Sequence, residues 1–182
     1  MHRFCLPVFA ALLGLLATFS ASAQTTVIRA DAMLDVATGK LLSDAVLVIE
    51  DGMIHAAGEA GDIDVPANAQ IVSLPGHTLL PGLIDMHVHL TSSSDYHGYR
   101  SLALSDERKT IHGVVHAERT LMAGFTTVRN VGAGSFADVA LRDAIAEGDI
   151  PGPRMFVSGP PIGITGGHCS DNNLLPAEYG LQ

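Results

Sequence analysis

The amino-acid sequence predicts an α/β protein in which a small β module precedes the beginning of a parallel sheet flanked by helices. Two observations support this prediction. Between residues 25 and 80, short apolar segments alternate with turn-forming residues, whereas after residue 80 short apolar segments alternate with amphipathic helical ones. The second rhythm is typical of strand-helix-strand units, because two parallel strands must be joined by a long crossover, usually a helix.

The first residues have the pattern of a targeting segment. A basic start at residues 1–3 is followed by an apolar stretch over residues 4–19 and by the small residues 20–23. This order predicts a signal peptide at 1–23, cleaved after Ala23. An uncleaved membrane anchor is the alternative, but the apolar stretch is shorter than the ~20 residues that a spanning helix needs. The mature chain is therefore expected to be exported, periplasmic or secreted, with no stable membrane anchor.

Cysteine content and charge exclude two further classes. Cys5 lies in the apolar leader, so the mature chain keeps only Cys169 and cannot form an intramolecular disulfide. The formal net charge is −9, and no cluster of lysine and arginine is present. Nucleic-acid binding is not expected, because a phosphate-binding surface needs such a cluster. A small molecule or a peptide is the expected partner.

The β module is predicted to span residues 24–80. Asp51-Gly52 lies between two apolar runs and predicts a two-residue hairpin turn, since a type I′ turn needs positive φ at both central residues. The predicted short strands are residues 27–30, 37–40, 45–50, 53–57 and 71–74.

The parallel part is predicted to span residues 81–182. Gly124 and Gly148 follow the two amphipathic segments and are placed to end helices. A closed (β/α)8 barrel takes about 250 residues, so only about three of its eight units fit here, and we expect an incomplete barrel. The predicted strands are residues 83–87, 125–129 and 154–158, and the predicted helices are residues 105–123 and 136–147.

The first of these strands carries the chemistry. Side chains alternate between the two faces of a strand, so Asp85, His87 and His89 share one face. At the carboxyl end of a barrel strand, both imidazoles can reach one cation, while Asp85 lies deeper and can orient a ligand. A His-x-His pair alone occurs often by chance on exposed strands. The surrounding sequence therefore decides its meaning.

Three segments resemble one family. Residues 80–89 (LPGLIDMHVH) resemble the first barrel strand of the amidohydrolase superfamily, and the preceding module resembles the composite β-sandwich of those enzymes. Residues 123–132 (AGFTTVRNVG) and 163–168 (GITGGH) resemble the branch that contains imidazolonepropionase-like enzymes and Xaa-Pro dipeptidases.

The resemblance implies metal-dependent hydrolysis of an amide or related C–N bond. His87 and His89 would be metal ligands and Asp85 would support them. The metal would be zinc or another divalent ion, with two ions in the complete enzyme, which could form a homo-oligomer. The family's remaining ligands and its catalytic aspartate have no assigned counterpart here, so this chain is expected to be inactive alone.

Several other polar residues have both a functional and a structural interpretation. His168 is expected to contact substrate, or else to be a loop histidine bonded to backbone. Arg129 could hold a substrate carboxylate or form a structural ion pair. Asn130 is given no ionic role. His112 and His116 are spaced to bind zinc but lack the His-Glu-x-x-His pattern, so a solvated helix face is predicted.

Two other functions stay open. A cyclic-amide hydrolase or deaminase of the same superfamily would share the His-x-His strand. A non-catalytic remnant or binding module would keep the strand without the later ligands. The residues that separate these possibilities would lie on later barrel strands.

Overall fold

The computed structural model describes residues 25–164 and 167–169, so the predicted signal peptide at 1–23 lies outside the described residues. The chain divides into two compact units, Met1–Leu80 and Pro81–Gln182. No helix in the described part is both long and apolar enough to span a membrane.

The first unit contains one mixed four-stranded sheet with the strand order β3-β2-β1-β4. Neighbouring pairs β1-β2 and β2-β3 are antiparallel, whereas β1 and β4 are parallel. Residues 25–80 form only this single layer, so the expected sandwich is not present within them. One face is covered by the loop after β3, whose Ile63 and Val65 pack on buried Val27, Val46 and Val48. The strands are β1 Thr26–Asp35, β2 Lys40–Glu50, β3 Met53–Glu59 and β4 Gln70–Leu79.

The hairpins of this sheet agree with the sequence at one turn and differ at the other. Asp51 and Gly52 have φ of 50° and 75°, so the predicted type I′ geometry is confirmed. The predicted strand at residues 37–40 is wrong, because a turn occupies residues 36–39. The Asp35 carboxylate accepts the backbone N–H of Ala37 at 3.0 Å and the Thr38 hydroxyl. These local hydrogen bonds replace the hydrogen bonds between strands at this point, so the chain turns here.

Strand β4 also runs further than predicted. It continues past Pro75 through Gly76, whose φ is 76°. The register with β1 shifts between Ala30 and Ala32, and the Gly76 N–H donates to the Asp31 carboxylate at 2.9 Å. A bulge thus absorbs the Pro-Gly pair that had predicted the end of the strand.

The second unit confirms the predicted strand and helix alternation. Its sheet is parallel with the order β5-β6-β7, and the helices pack on one face around Leu90, Ala117, Val128, Leu141 and Met155. Sequential parallel strands with crossover helices match the first part of a barrel, and the described residues do not close it. The elements are β5 Leu83–Val88, α1 Asp106–Met122, β6 Phe125–Asn130, α2 Ala137–Ala146 and β7 Arg154–Val157.

Local sequence explains where the helices start and stop. The Ser105 hydroxyl caps α1 by accepting the N–H of Arg108 at 3.3 Å. Gly124 and Gly148 have φ of 95° and 82° after the two helices, as their positions predicted. Helix α2 starts one residue later than predicted, because Phe136 has the left-handed φ of 54°.

Candidate active site

His87, in β5, and His89, directly after that strand, lie side by side on the face that the helices do not cover. Val88 and Leu90 belong to the core between sheet and helices, so alternation places His87 and His89 on the opposite face. Their ring centroids are 5.4 Å apart, with an edge-to-face angle of 70°. Two imidazoles in this arrangement can approach one cation, as the His-x-His spacing predicted.

A hydrogen bond orients the second of these rings. His89 Nδ1 lies 3.1 Å from the carbonyl oxygen of Gly132, in the loop after β6. A carbonyl only accepts, so Nδ1 carries the hydrogen, and in the neutral tautomer this leaves the lone pair on Nε2. A neutral imidazole held in this way is the form that binds a metal ion.

Asp85 supports the strand differently from the expectation. Its Oδ1 accepts the backbone N–H of His87 at 3.0 Å, so it fixes the main chain at that histidine. Among the described residues, no imidazole N–H donates to Asp85. Its influence on a metal ligand would therefore act through the position of the His87 backbone.

A cavity of about 260 Å³ opens beside His89, and the loops after all three parallel strands contribute to it. Residues 91–93 follow β5, residues 132–134 follow β6, and Pro161 and His168 follow β7. The carboxyl ends of the strands are where barrel enzymes bind substrates. The structure thus brings His89 and His168 to one cavity, while His87 lies outside its lining. The lining also includes Tyr96, Ser101, Leu104, Lys109 and Cys169.

One cationic side chain reaches the cavity wall. Lys109 Nζ lies 3.0 Å from the carboxylate of Asp106, one helical turn earlier on α1. The Ser135 hydroxyl donates to the other oxygen of that carboxylate. These bonds, first from Ser135 and then from Lys109, lower the pKa of Asp106. Asp106 therefore stays ionised near neutral pH and holds Lys109 at the cavity wall.

Arg129 lies on the sheet face of the two histidines but not in the cavity. Its neighbours Val128 and Asn130 are fully buried on the helix side, so alternation turns Arg129 to the other face. It is exposed, and it forms no ion pair with any residue in the described part. The structural ion pair considered from the sequence is therefore not found among those residues.

The prediction for the helix histidines is wrong. His112 and His116 are both half-buried rather than solvated. His116 Nδ1 donates to the carbonyl oxygen of Leu90 at 2.7 Å, directly after the His-x-His strand. His112 lies between His116 and Tyr96, at ring-centroid distances of 6.2 and 5.7 Å. The i, i+4 spacing thus serves helix-to-loop packing.

The described residues supply only part of a metal site. Within residues 25–164 and 167–169, no group of three or more His, Cys, Asp or Glu side chains is arranged to hold a metal ion. The donor chemistry of His87 and His89 fits zinc, whose catalytic sites take about three protein ligands. The pair is therefore suited to a cation and insufficient for it alone.

Comparison with known proteins identifies the family. Residues 78–179, more than half of the chain, match the amidohydrolase family. The chain belongs to this family, which confirms the resemblance seen in the sequence.

Individual relatives agree with this assignment. Ochratoxinase of Aspergillus niger is 31% identical over 173 residues, covering 88% of this chain and 34% of that enzyme. Imidazolonepropionase of Micrococcus luteus is 40% identical over 57 residues, covering 31% of this chain and 14% of that enzyme. The crystal structure of a Xaa-Pro dipeptidase with methionine bound in its active site matches with a TM-score of 0.75 and 34% identity. It covers 85% of this chain and 38% of the dipeptidase.

This chain spans about a third of the length of ochratoxinase and of the dipeptidase.

Proposed function

We propose that this chain is the N-terminal part of an exported metal-dependent hydrolase that cleaves an amide bond in a dipeptide or another small C–N substrate. The observation that carries the proposal is the pairing of His87 and His89 on the open face of β5, beside a cavity at the carboxyl ends of three parallel strands. We call the full-length hydrolase that contains this segment the complete protein.

The metal chemistry follows from the family. Amidohydrolases typically bind metal, and His87 and His89 would hold a zinc ion here, with a second ion in the complete protein. A divalent cation at this position would lower the pKa of water and polarise a carbonyl oxygen. His168, which lines the cavity in the segment after β7, would contact the substrate.

A dipeptide is the favoured substrate class. The dipeptidase with bound methionine shows that a relative accepts an amino acid in its active site. In this chain, Arg129 is an exposed guanidinium on the face of the histidines without an ion-pair partner in the described part, and a C-terminal carboxylate would match it. The match to imidazolonepropionase makes a cyclic substrate, as that name indicates, the second candidate. Assays of the metal-loaded complete protein on Xaa-Pro dipeptides and on cyclic amides would distinguish the two.

Replacing Arg129 with methionine in the complete protein is expected to raise KM for a Xaa-Pro dipeptide. Charge-assisted hydrogen bonds contribute about 1.5–3 kcal/mol, which corresponds to about 10–150-fold in KM. The C-terminally amidated dipeptide lacks the carboxylate that Arg129 would bind. Its KM should therefore be the same for Arg129→Met as for the unaltered protein. Steady-state kinetics on both substrates measures the difference.

Arg154 provides the matched control for this experiment. It begins β7, at the end of the strand remote from the cavity, and is exposed like Arg129. Arg154→Met should leave KM unchanged for both substrates. Equal KM values for Arg129→Met and the unaltered protein would remove Arg129 from the substrate site.

Export is the remaining part of the proposal. The complete protein, expressed with its leader, is expected to begin at Gln24 when recovered from the periplasm or medium, because Ala21 and Ala23 suit signal peptidase. N-terminal sequencing measures this directly. Recovery of an intact Met1 from the membrane fraction would instead indicate an anchor.

A further inference from the structure

A buried hydrogen-bond network lies behind His89. The side chains of Asn130, at the end of β6, and Asp138, in the first turn of α2, are both 0% exposed. Asn130 Oδ1 accepts the N–H of Leu90 at 2.8 Å, and its Nδ2 donates to Asp138 Oδ2 at 3.1 Å. The same Nδ2 donates to the Gly132 carbonyl at 3.2 Å, and Asp138 Oδ2 also accepts the N–H of Gly159 at 3.1 Å. We call these two side chains the Asn130–Asp138 bridge.

The bridge connects the chain at three points where the sheet ends. Leu90, Gly132 and Gly159 follow β5, β6 and β7 respectively, so their backbone groups are beyond the strand ladder. Buried backbone groups without partners are costly, and two side chains supply the partners here. The bridge therefore sets the spacing of the three loops that line the cavity.

Two of these contacts bear directly on His89. Leu90 is the next residue along the chain, and His116 holds its carbonyl while Asn130 holds its N–H. The Gly132 carbonyl receives both the ring N–H of His89 and the amide of Asn130. A Cβ on Gly132 would lie only 3.3 Å from His89 Cε1, so the ring and the loop are closely packed.

We propose that Asn130 is a positioning residue for the metal ligand His89. Through the Leu90 amide it fixes the backbone beside His89, and through the Gly132 carbonyl it fixes the direction of the imidazole. A carboxamide is required because this position must accept one hydrogen bond and donate two. The inference rests on the proposed function, since it assumes that His89 binds the metal.

The test uses cobalt(II) as a spectroscopic probe in the complete protein. Asn130→Leu keeps a similar volume but removes the donor and acceptor. It is expected to change the visible absorption of bound cobalt and to weaken cobalt affinity by about 10–100-fold, the usual effect of losing a group that supports a ligand. Affinity is measured by competition with a chelator, and neither readout depends on turnover.

Two variants separate positioning from general stability. Leu141→Ala removes a fully buried apolar side chain from the same core but none of the hydrogen bonds of the bridge, so it should lower the Tm but leave both cobalt readouts unchanged. Asp138→Asn can place its amide oxygen at the position of Oδ2, which accepts two hydrogen bonds. Its amide nitrogen then takes the position of Oδ1, which has no hydrogen-bond partner in the described part, so no bond of the bridge is lost. It should therefore retain the spectrum and keep affinity within about 3-fold, below the loss expected for a supporting group.

The outcomes are distinguishable. An unchanged cobalt spectrum and affinity in Asn130→Leu would overturn the inference, as would an equal change in Leu141→Ala. If Asn130→Leu does not fold, Asn130→Ala replaces it, since it also removes the donor and the acceptor and adds no bulk. An unchanged spectrum in that variant would likewise overturn the inference. Failure of the unaltered complete protein to bind cobalt would instead refute the proposed metal-dependent function.

Discussion

Replacing either His87 or His89 with alanine in the complete protein is expected to abolish hydrolysis and to reduce metal content to a small fraction of one equivalent. Each substitution removes a nitrogen donor that no other described side chain can replace, because no third ligand lies nearby. Loss of a group that merely supports a ligand costs about 10–100-fold, so loss of a ligand should exceed about 100-fold. Elemental analysis of the purified variants measures the metal, and an amide-hydrolysis assay measures activity.

His112 is the matched control for these variants. It is a histidine of the same unit, half-buried between Tyr96 and His116 and off the sheet face of the strand pair. His112→Ala should retain the metal and most of the activity. His116 is unsuitable as a control, because its ring holds the Leu90 carbonyl beside His89. A full complement of metal in both strand variants would show that the site lies elsewhere.

The placement of the histidine pair could be derived from sequence because it depends on one strand only. The two-residue period of a strand puts His87 and His89 on one face whatever surrounds them. The Asp51-Gly52 turn was predictable for the same reason, since its positive φ values are a local requirement. The metal-binding role of the pair stays a prediction.

The predictions for residues 37–40 and for the helix histidines were wrong because a side chain binds the backbone in each case. A periodic sequence pattern does not reveal such contacts. Asp35 captures the backbone of Ala37 and turns a segment with strand-like composition into a loop. His116 looks like a surface histidine in its helix. Its acceptor, the Leu90 carbonyl, is 26 residues away in sequence.

The Asn130–Asp138 bridge shows the same limit at the site itself. Asn130 and Leu90, whose backbone N–H it accepts, are 40 residues apart, and Gly159 is 21 residues from Asp138. The sequence spacing of neither residue predicts that its side chain is buried. The sequence does place the carboxamide of Asn130 and the carboxylate of Asp138 near the ends of a strand and a helix. Backbone groups there lack partners within the element, so polar side chains at these positions can bind them. Only the parallel order of the sheet brings these groups together.

Residues 24–182 expressed alone are expected to show no hydrolysis above background, even with added zinc. Two histidines supply only part of the roughly three protein ligands of a catalytic zinc site, so the ion should bind weakly. The fold is a second obstacle. In the described part, strands β5 and β7 are the edges of a three-stranded sheet, and apolar side chains on them are open to solvent, with Ile84 60%, Met86 50% and Phe156 57% exposed. Open edges and apolar faces favour association, so aggregation or partial folding should accompany the inactivity.

Size-exclusion chromatography with a Xaa-Pro dipeptide assay tests both arguments, with the complete protein as the positive control. Co-expression with the remaining segment of the complete protein separates them further. If the remaining segment supplies both the further ligands and the covering surface, the two pieces together should form a soluble complex that binds zinc and hydrolyses the substrate. Strands added beside β5 and β7 would cover the exposed edges, and further side chains would complete the ligands around His87 and His89. A folded monomer of residues 24–182 with metal-dependent turnover would contradict the prediction, because it would require a complete ligand set within this chain.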